Sequence, residues 1–221
     1  MVNAINCRIP CARVANGDGG LPRDKAYTKK AIARCLEEEF LAHGYEKASL
    51  NRVSAKVGIT TAALYKHFKN KQDMFHYLVA DTLDAFHDLT NGGLDQLTAD
   101  SAYNPFADDW AVTWIDFIYE HFRGMKLLIC CSKGSDLESF EEDVIQMEAK
   151  SNRAYAEALR ASGRLTRVLP DMQWHMLATA YVRLLFETVR HDMTRDEALT
   201  HARFVSELLY PGWEKILGLR G

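Results

Sequence analysis

No stretch of the 221-residue sequence approaches the roughly 18 consecutive apolar residues that a membrane-spanning helix needs. The opening segment MVNAINCRIPCARVANGDGG lacks a charged start followed by an apolar run, so it is not read as a secretory signal, and the cytoplasm is the expected compartment. The five cysteines, Cys7, Cys11, Cys35, Cys130 and Cys131, are odd in number and share no spacing, which argues for reduced thiols rather than a disulfide framework. Alternating strand patterns with hairpin signals are missing, as are internal repeats and low-complexity tracts. What remains is an ordinary globular composition, 48% apolar and 26% charged.

The net charge of −3 conceals an asymmetry. From Pro22 to Phe75 there are 11 Lys and Arg against 6 Asp and Glu, a local +5; from His76 onward 14 against 23 give −9. A positive segment on an acidic remainder suggests that one end meets a polyanion. Residues 1–23 read as a flexible arm, and helical periodicity fills the rest, so the expected fold class is all-α. Ile32, Cys35, Leu36 and Phe40 form one apolar stripe that Gly44 can end in the left-handed conformation. Further helices are expected over about 105–122, 136–161, 171–192 and 195–217. Asn104-Pro105, Ser135 with Glu138, Pro170, and Thr194 with Glu197 serve as start signals, and Pro211 is expected to kink or interrupt the last helix.

Between these lies SLNRVSAKVGITTAALYKHFKNKQDMF. Ser49 can cap a helix whose Leu50, Val53 and Val57 share a face before Gly58 ends it; Thr60 can cap a short second helix. Leu64 and Phe68 then point inward, while Thr61, Ala62, Tyr65 and Lys66 project outward, the geometry of a helix end entering a DNA major groove. Thr61 and Ala62, with Lys66, are placed to reach base edges; Ser49, Thr60 and Tyr65 offer hydroxyls to phosphates, and Lys66 and Lys71 supply counter-charge. The start of the next helix, beside Lys71, offers free N–H groups to a phosphate as well. His67 suits packing or a phosphate contact. Spacing alone leaves open a packed corner of a helical protein.

This run, with Leu64, Tyr65, His67, Phe68, Lys71, Met74 and Phe75 at matching positions, resembles the N-terminal domain of the TetR family of transcriptional repressors. The resemblance covers about 50 residues from Tyr27 to Phe75. It implies an N-terminal three-helix helix-turn-helix DNA-binding domain (24–75) and a larger C-terminal helical ligand-binding and dimerisation domain (76–221), joined by a fourth helix. It also implies a homodimer on a double-stranded, palindromic DNA operator. Carried over, Ser49, Thr60, Tyr65 and Lys71 would contact the backbone, and Thr61, Ala62 and Lys66 would lie nearest the bases. The arm before Tyr27 departs from the common pattern; it is either an unstructured extension or a minor-groove reader through Arg8, Arg13 or Arg23.

In the acidic remainder Trp110, Trp114, Phe117, Ile118 and His121 lie on one helical stripe, and Trp174, Ala178, Tyr181 and Leu185 on another. Such stripes are core, or line a pocket; the pocket reading makes Trp110, Trp114, Phe117, His121, Trp174, His175 and Tyr181 the candidate ligand residues. Tyr181, Leu184, Leu185, Thr188 and Val189, with Ala198, Ala202, Val205, Leu208 and Leu209, are candidates for a dimer surface or for an intramolecular core. The expected function is a ligand-responsive, sequence-specific repressor released from its operator by a small apolar or aromatic molecule. No cofactor or metal is expected. The alternatives are a DNA-binding regulator without an effector, a redox or metal sensor using Cys130 and Cys131, and an enzyme using His121 or His175 with Glu187. For the enzyme, no nucleophile, base and orienting group fall at a recognisable spacing.

Overall fold

A computed structural model describes residues 25–99, 108–165 and 167–218. These form helices α1 (Lys25–Lys47), α2 (Leu50–Val57), α3 (Thr61–Leu64), α4 (Lys71–Ala99), α5 (Asp108–Glu120), α6 (Phe122–Lys126), α7 (Phe140–Ala161), α8 (Asp171–Arg190) and α9 (Arg195–Leu217), with a π-helical turn at Leu127–Cys131. The described residues contain no strand, as the all-α reading expects. The arm of residues 1–23 and the Asn104-Pro105 start signal lie outside the described residues.

The α1 stripe of Ile32, Cys35, Leu36 and Phe40 is buried. Phe40 meets the edge of Phe75 from α4 at 5.2 Å and stacks on Tyr45 at 5.8 Å. Gly44 takes a positive φ of 72° with ψ of 164°, so the helix breaks there and resumes for one more turn, rather than ending in a left-handed cap. Gly58 does end α2 in the left-handed region, φ 78° and ψ 32°, as its lack of a Cβ allows. α1, α2 and α4 pack together, and α4 runs without interruption past residue 75, where the division between the two domains was expected. One apolar core therefore extends from Ile32 to Val205.

Behind α4, α7 packs on α8, and α5 and α8 pack on α9. Thr194 and Glu197 form the expected reciprocal cap of α9. The Ser135–Glu138 cap does not form. Ser135 Oγ donates to the Ser132 carbonyl at 2.6 Å and Glu138 accepts from Gly134 N–H, so a turn is made and α7 begins at Phe140. Pro170 does open α8. Pro211 does not interrupt α9: it is exposed, so the carbonyl one turn earlier that loses its N–H partner faces water.

Candidate nucleic-acid interface

α2 and α3 are short, and both are held by their caps. Ser49, extended at φ −110°, accepts Arg52 N–H on Oγ; Thr60 accepts Ala63 N–H at 3.2 Å. Beneath Ser49 the buried Glu39 carboxylate accepts both Ser49 N–H and Arg52 Nε at 2.8 Å. Burial alone would raise the pKa of Glu39, but the Arg52 guanidinium and the Ser49 N–H outweigh it and hold the carboxyl below its usual value. After α3, Lys66, His67 and Phe68 N–H groups still bond to the Ala63 and Leu64 carbonyls, so the helical path continues loosely through Phe68. Leu64 and Phe68 are buried, with Val53 beneath them.

The opposite face of α3 is open. Ala62 and Lys66 are exposed and Tyr65 is 49% exposed, at positions i, i+3 and i+4 of one helical face. Ser49 and Thr60 use oxygen lone pairs in capping, which leaves each O–H proton to be donated. Thr61 differs from its expected role. It is half-buried, its hydroxyl donates to Asn51 Oδ1 at 2.9 Å and lies 3.1 Å from Ser54 Oγ, so it fastens α3 to α2. His67 is half-buried, and its Nδ1 is buried without a hydrogen bond, which fits packing more than contact.

Lys71 also differs. Its ammonium donates to the Ala48 carbonyl at 2.9 Å and the Glu46 carbonyl at 3.4 Å, and lies 4.9 Å from the centre of the Tyr45 ring. Burial pushes its pKa down, opposed by Glu39 and Glu46. This lysine closes the end of α1 rather than standing as free counter-charge. The start of α4 is likewise occupied by the chain itself: Asn70 Oδ1 accepts Asp73 N–H, and Asp73 Oδ2 accepts Lys69 N–H. A further exposed cation of this segment is Lys69, three residues beyond Lys66. Its only signal is the lysine spacing in KHFKNK, which does not say which ammonium is committed elsewhere.

A second seam joins this domain to the rest. Arg123 Nε of α6 donates to Glu37 of α1 at 2.7 Å, and the π-helical turn packs along α1. Asp136 contacts His76 Nε2 at 2.8 Å and accepts from Gln72, whose carbonyl accepts the Tyr45 hydroxyl.

The seven candidate ligand residues divide into two groups. Trp110, Trp114, Phe117 and His121 form a ladder of rings at centroid distances of 6.1, 6.2 and 5.1 Å, and Phe86 of α4 packs on its centre; Tyr181 belongs to the same core. Trp174 packs instead on Trp213 at 5.8 Å in a separate cluster with Tyr155, Leu165 and Leu169, with half-buried His175 beside it in α8. The Trp114 indole N–H is buried without an acceptor. The proposed dimer residues Tyr181, Leu185, Thr188, Val189, Ala198, Ala202 and Val205 are buried within the chain, which is the intramolecular alternative. The large apolar side chains exposed on α8 and α9 are Met172, Met176, Phe204 and Leu208. Cys130 is exposed and Cys131 buried; desolvation pushes both thiols up, Cys131 to about 11, which disfavours the reactive thiolate. Among the described residues no group of three or more His, Cys, Asp or Glu side chains could hold a metal ion.

Residues 36–78 match the family profile described as bacterial regulatory proteins, tetR family. An HTH-type transcriptional regulator of Staphylococcus aureus (strain USA300) is 33% identical over 64 residues, which are 29% of this chain and 35% of that protein. The match thus spans about a third of the curated relative's length. Among solved structures, NalD, the secondary repressor of the MexAB-OprM multidrug efflux pump in Pseudomonas aeruginosa, aligns with a TM-score of 0.58 at 20% identity over 85% of this chain and 95% of NalD. The TetR-family regulator PfmR from Thermus thermophilus aligns with a TM-score of 0.56 at 17% identity over 80% of this chain and 96% of PfmR. At these identities the structural likeness establishes the fold.

Proposed function

We propose, from the match of residues 36–78 to the tetR-family profile, that the chain is a sequence-specific transcriptional repressor that binds operator DNA as a homodimer and is released by a small apolar or aromatic molecule. The observation that carries the DNA-binding reading is the open face of Ala62, Tyr65 and Lys66 on a capped helix whose other side is core. Ala62 lets the helix axis approach the base edges; Tyr65 and Lys66 on the same face, with exposed Lys69 further along the chain, would meet phosphates, as would the free O–H protons of Ser49 and Thr60. Thr61 and Lys71 act one step back, by fixing α3 on α2 and α4 on α1.

For the dimer, Met172 and Met176 on α8 and Phe204 and Leu208 on α9 form i, i+4 pairs on two adjacent antiparallel helices, an apolar face that a twofold copy would cover. For the effector, the ring ladder from Trp110 to His121 holds an unpartnered buried donor at Trp114, in the domain that holds α4 from behind. A ligand preferring the splayed arrangement of the two recognition helices would move them from the separation of about 34–36 Å that DNA requires.

The test is selection of bound duplexes from a random pool, followed by fluorescence anisotropy on the selected site. The expected result is a twofold-symmetric sequence with half-sites about one DNA turn apart. Lys66→Ala should weaken binding to all duplexes alike and reduce the salt slope by about 1. A pool that shows no enrichment would overturn the assignment.

A further inference from the structure

The structure holds a cavity of about 190 Å³ far along the chain from the ring ladder, between the last turns of α7, the connection after it and the first turn of α8. Its floor is apolar: Ala156, Leu165, Leu169 and Trp174 are all at most 6% exposed, and Trp174 is braced from below by Trp213. Its rim is cationic. Arg153, Arg160 and Arg167 stand against two carboxylates, Glu157 and Asp171. Both carboxylates are engaged by Arg153, through Nε to Glu157 at 3.1 Å and Nη1 to Asp171 at 2.6 Å. No carboxylate among the described residues pairs with Arg160 or Arg167, so two guanidinium groups without a carboxylate partner border an apolar pit whose rim, three cations against two anions, carries one net positive charge.

We propose that this cavity binds a small aromatic carboxylate, its ring on Trp174 and its carboxylate toward Arg160 and Arg167. Guanidinium groups match a carboxylate through paired N–H donors, and the apolar floor selects a flat hydrocarbon body over a bare anion. The volume lies below the roughly 300–1,000 Å³ typical of sites for drug-sized ligands, which limits the occupant to about one ring. The site faces away from the apolar dimer surface: Met172 and Met176 are each two residues from Trp174, about 200° around α8. A bound anion can therefore be present in the assembled dimer.

The assignment rests on the reading of the C-terminal domain as a small-molecule receptor, and it names the class of ligand and a place for it in this cavity instead of at the ring ladder. The probe is benzoate, titrated into the full chain by calorimetry without DNA, with benzamide, benzylamine and inorganic phosphate as comparisons. Benzoate should bind at least roughly tenfold more tightly than the other three, and Arg160→Gln with Arg167→Gln should weaken it by at least roughly tenfold while thermal unfolding stays unchanged. No heat with benzoate up to about 10 mM, equal binding of benzamide, or an unaffected double variant would overturn the cavity assignment and leave the DNA-binding reading intact. Anisotropy on the selected operator then tests the receptor reading separately: benzoate that binds the cavity but leaves operator affinity unchanged counts against it.

Discussion

Glu148 is 4% exposed in the middle of α7, with Val144 and Ile145 one turn before it and Asn152 one turn after. Asn152 Nδ2 donates to its carboxyl at 3.3 Å, and Asn152 Oδ1 is itself buried without a partner. Desolvation raises the carboxyl from 4.5 to about 7, against the smaller opposing effect of Asn152. Between these two values the folded chain keeps a proton that the unfolded chain has released, so stability falls as pH rises through the interval. At about 1.4 kcal/mol per pH unit, the carboxyl costs about 1 kcal/mol at pH 5.5 and about 3 kcal/mol at pH 8.5. Glu148→Gln removes the ionisation while keeping the shape, and its amide N–H can reach Asn152. The variant should therefore gain on the wild type as pH rises, by about 6–12 °C in Tm at pH 8.5 and far less at pH 5.5. Thermal unfolding of both proteins at matched concentration across this range measures the gap. A gap that does not change with pH, or a variant less stable throughout, would refute the account of Glu148 as a buried group that ionises at a cost.

Three further predictions concern particular contacts. Lys71→Ala should lower unfolding stability by about 1–3 kcal/mol, because two carbonyls at the end of α1 lose their donor, while the salt slope of DNA binding by the folded protein stays unchanged; anisotropy in a salt series and urea unfolding separate the two effects. Gly124→Ala would place a Cβ 1.9 Å from Thr82 Oγ1 and 2.8 Å from Thr82 Cβ, so it should destabilise by about 1–3 kcal/mol in thermal unfolding, with incomplete rescue by Thr82→Ala because the Cβ clash remains. Phe204→Glu should shift sedimentation toward the monomer and weaken operator binding while the monomer's helical circular dichroism stays the same; a dimer unaffected by the substitution would remove α9 from the interface.

Features set by neighbours in the chain were legible in the sequence. The caps at Ser49, Thr60 and Thr194, the glycine stop at Gly58 and the inward pair Leu64 and Phe68 depend on a few consecutive residues, and they form. Features set by distant partners were not. Lys71 looks like a surface cation until Glu46 and Ala48, more than twenty residues earlier, are brought beneath it. Thr61 looks outward until Asn51 claims its hydroxyl. Periodicity put Trp114 and Trp174 on apolar stripes correctly, but a stripe does not say which other stripe it meets, and the two rings fall in different clusters. The π-helical turn at Leu127–Cys131 gave no signal, since five apolar or thiol residues in a row fit any tightly wound helix equally well.

The seam between α1 and the segment from Arg123 to Asp136 has a mechanical consequence. A body carried on a single rod, as α4 alone would carry the DNA-binding domain, can tip in every direction. Two mountings, the rod, braced by Asp136 at Gln72 and His76, and the contacts of α1 with Arg123 and the π-helical turn, leave principally one axis about which it can turn. A disturbance among the C-terminal helices would then reach α2 and α3 as a swing of fixed sense, as a door moves on a pair of hinges, and not as a loosening of the whole N-terminal unit.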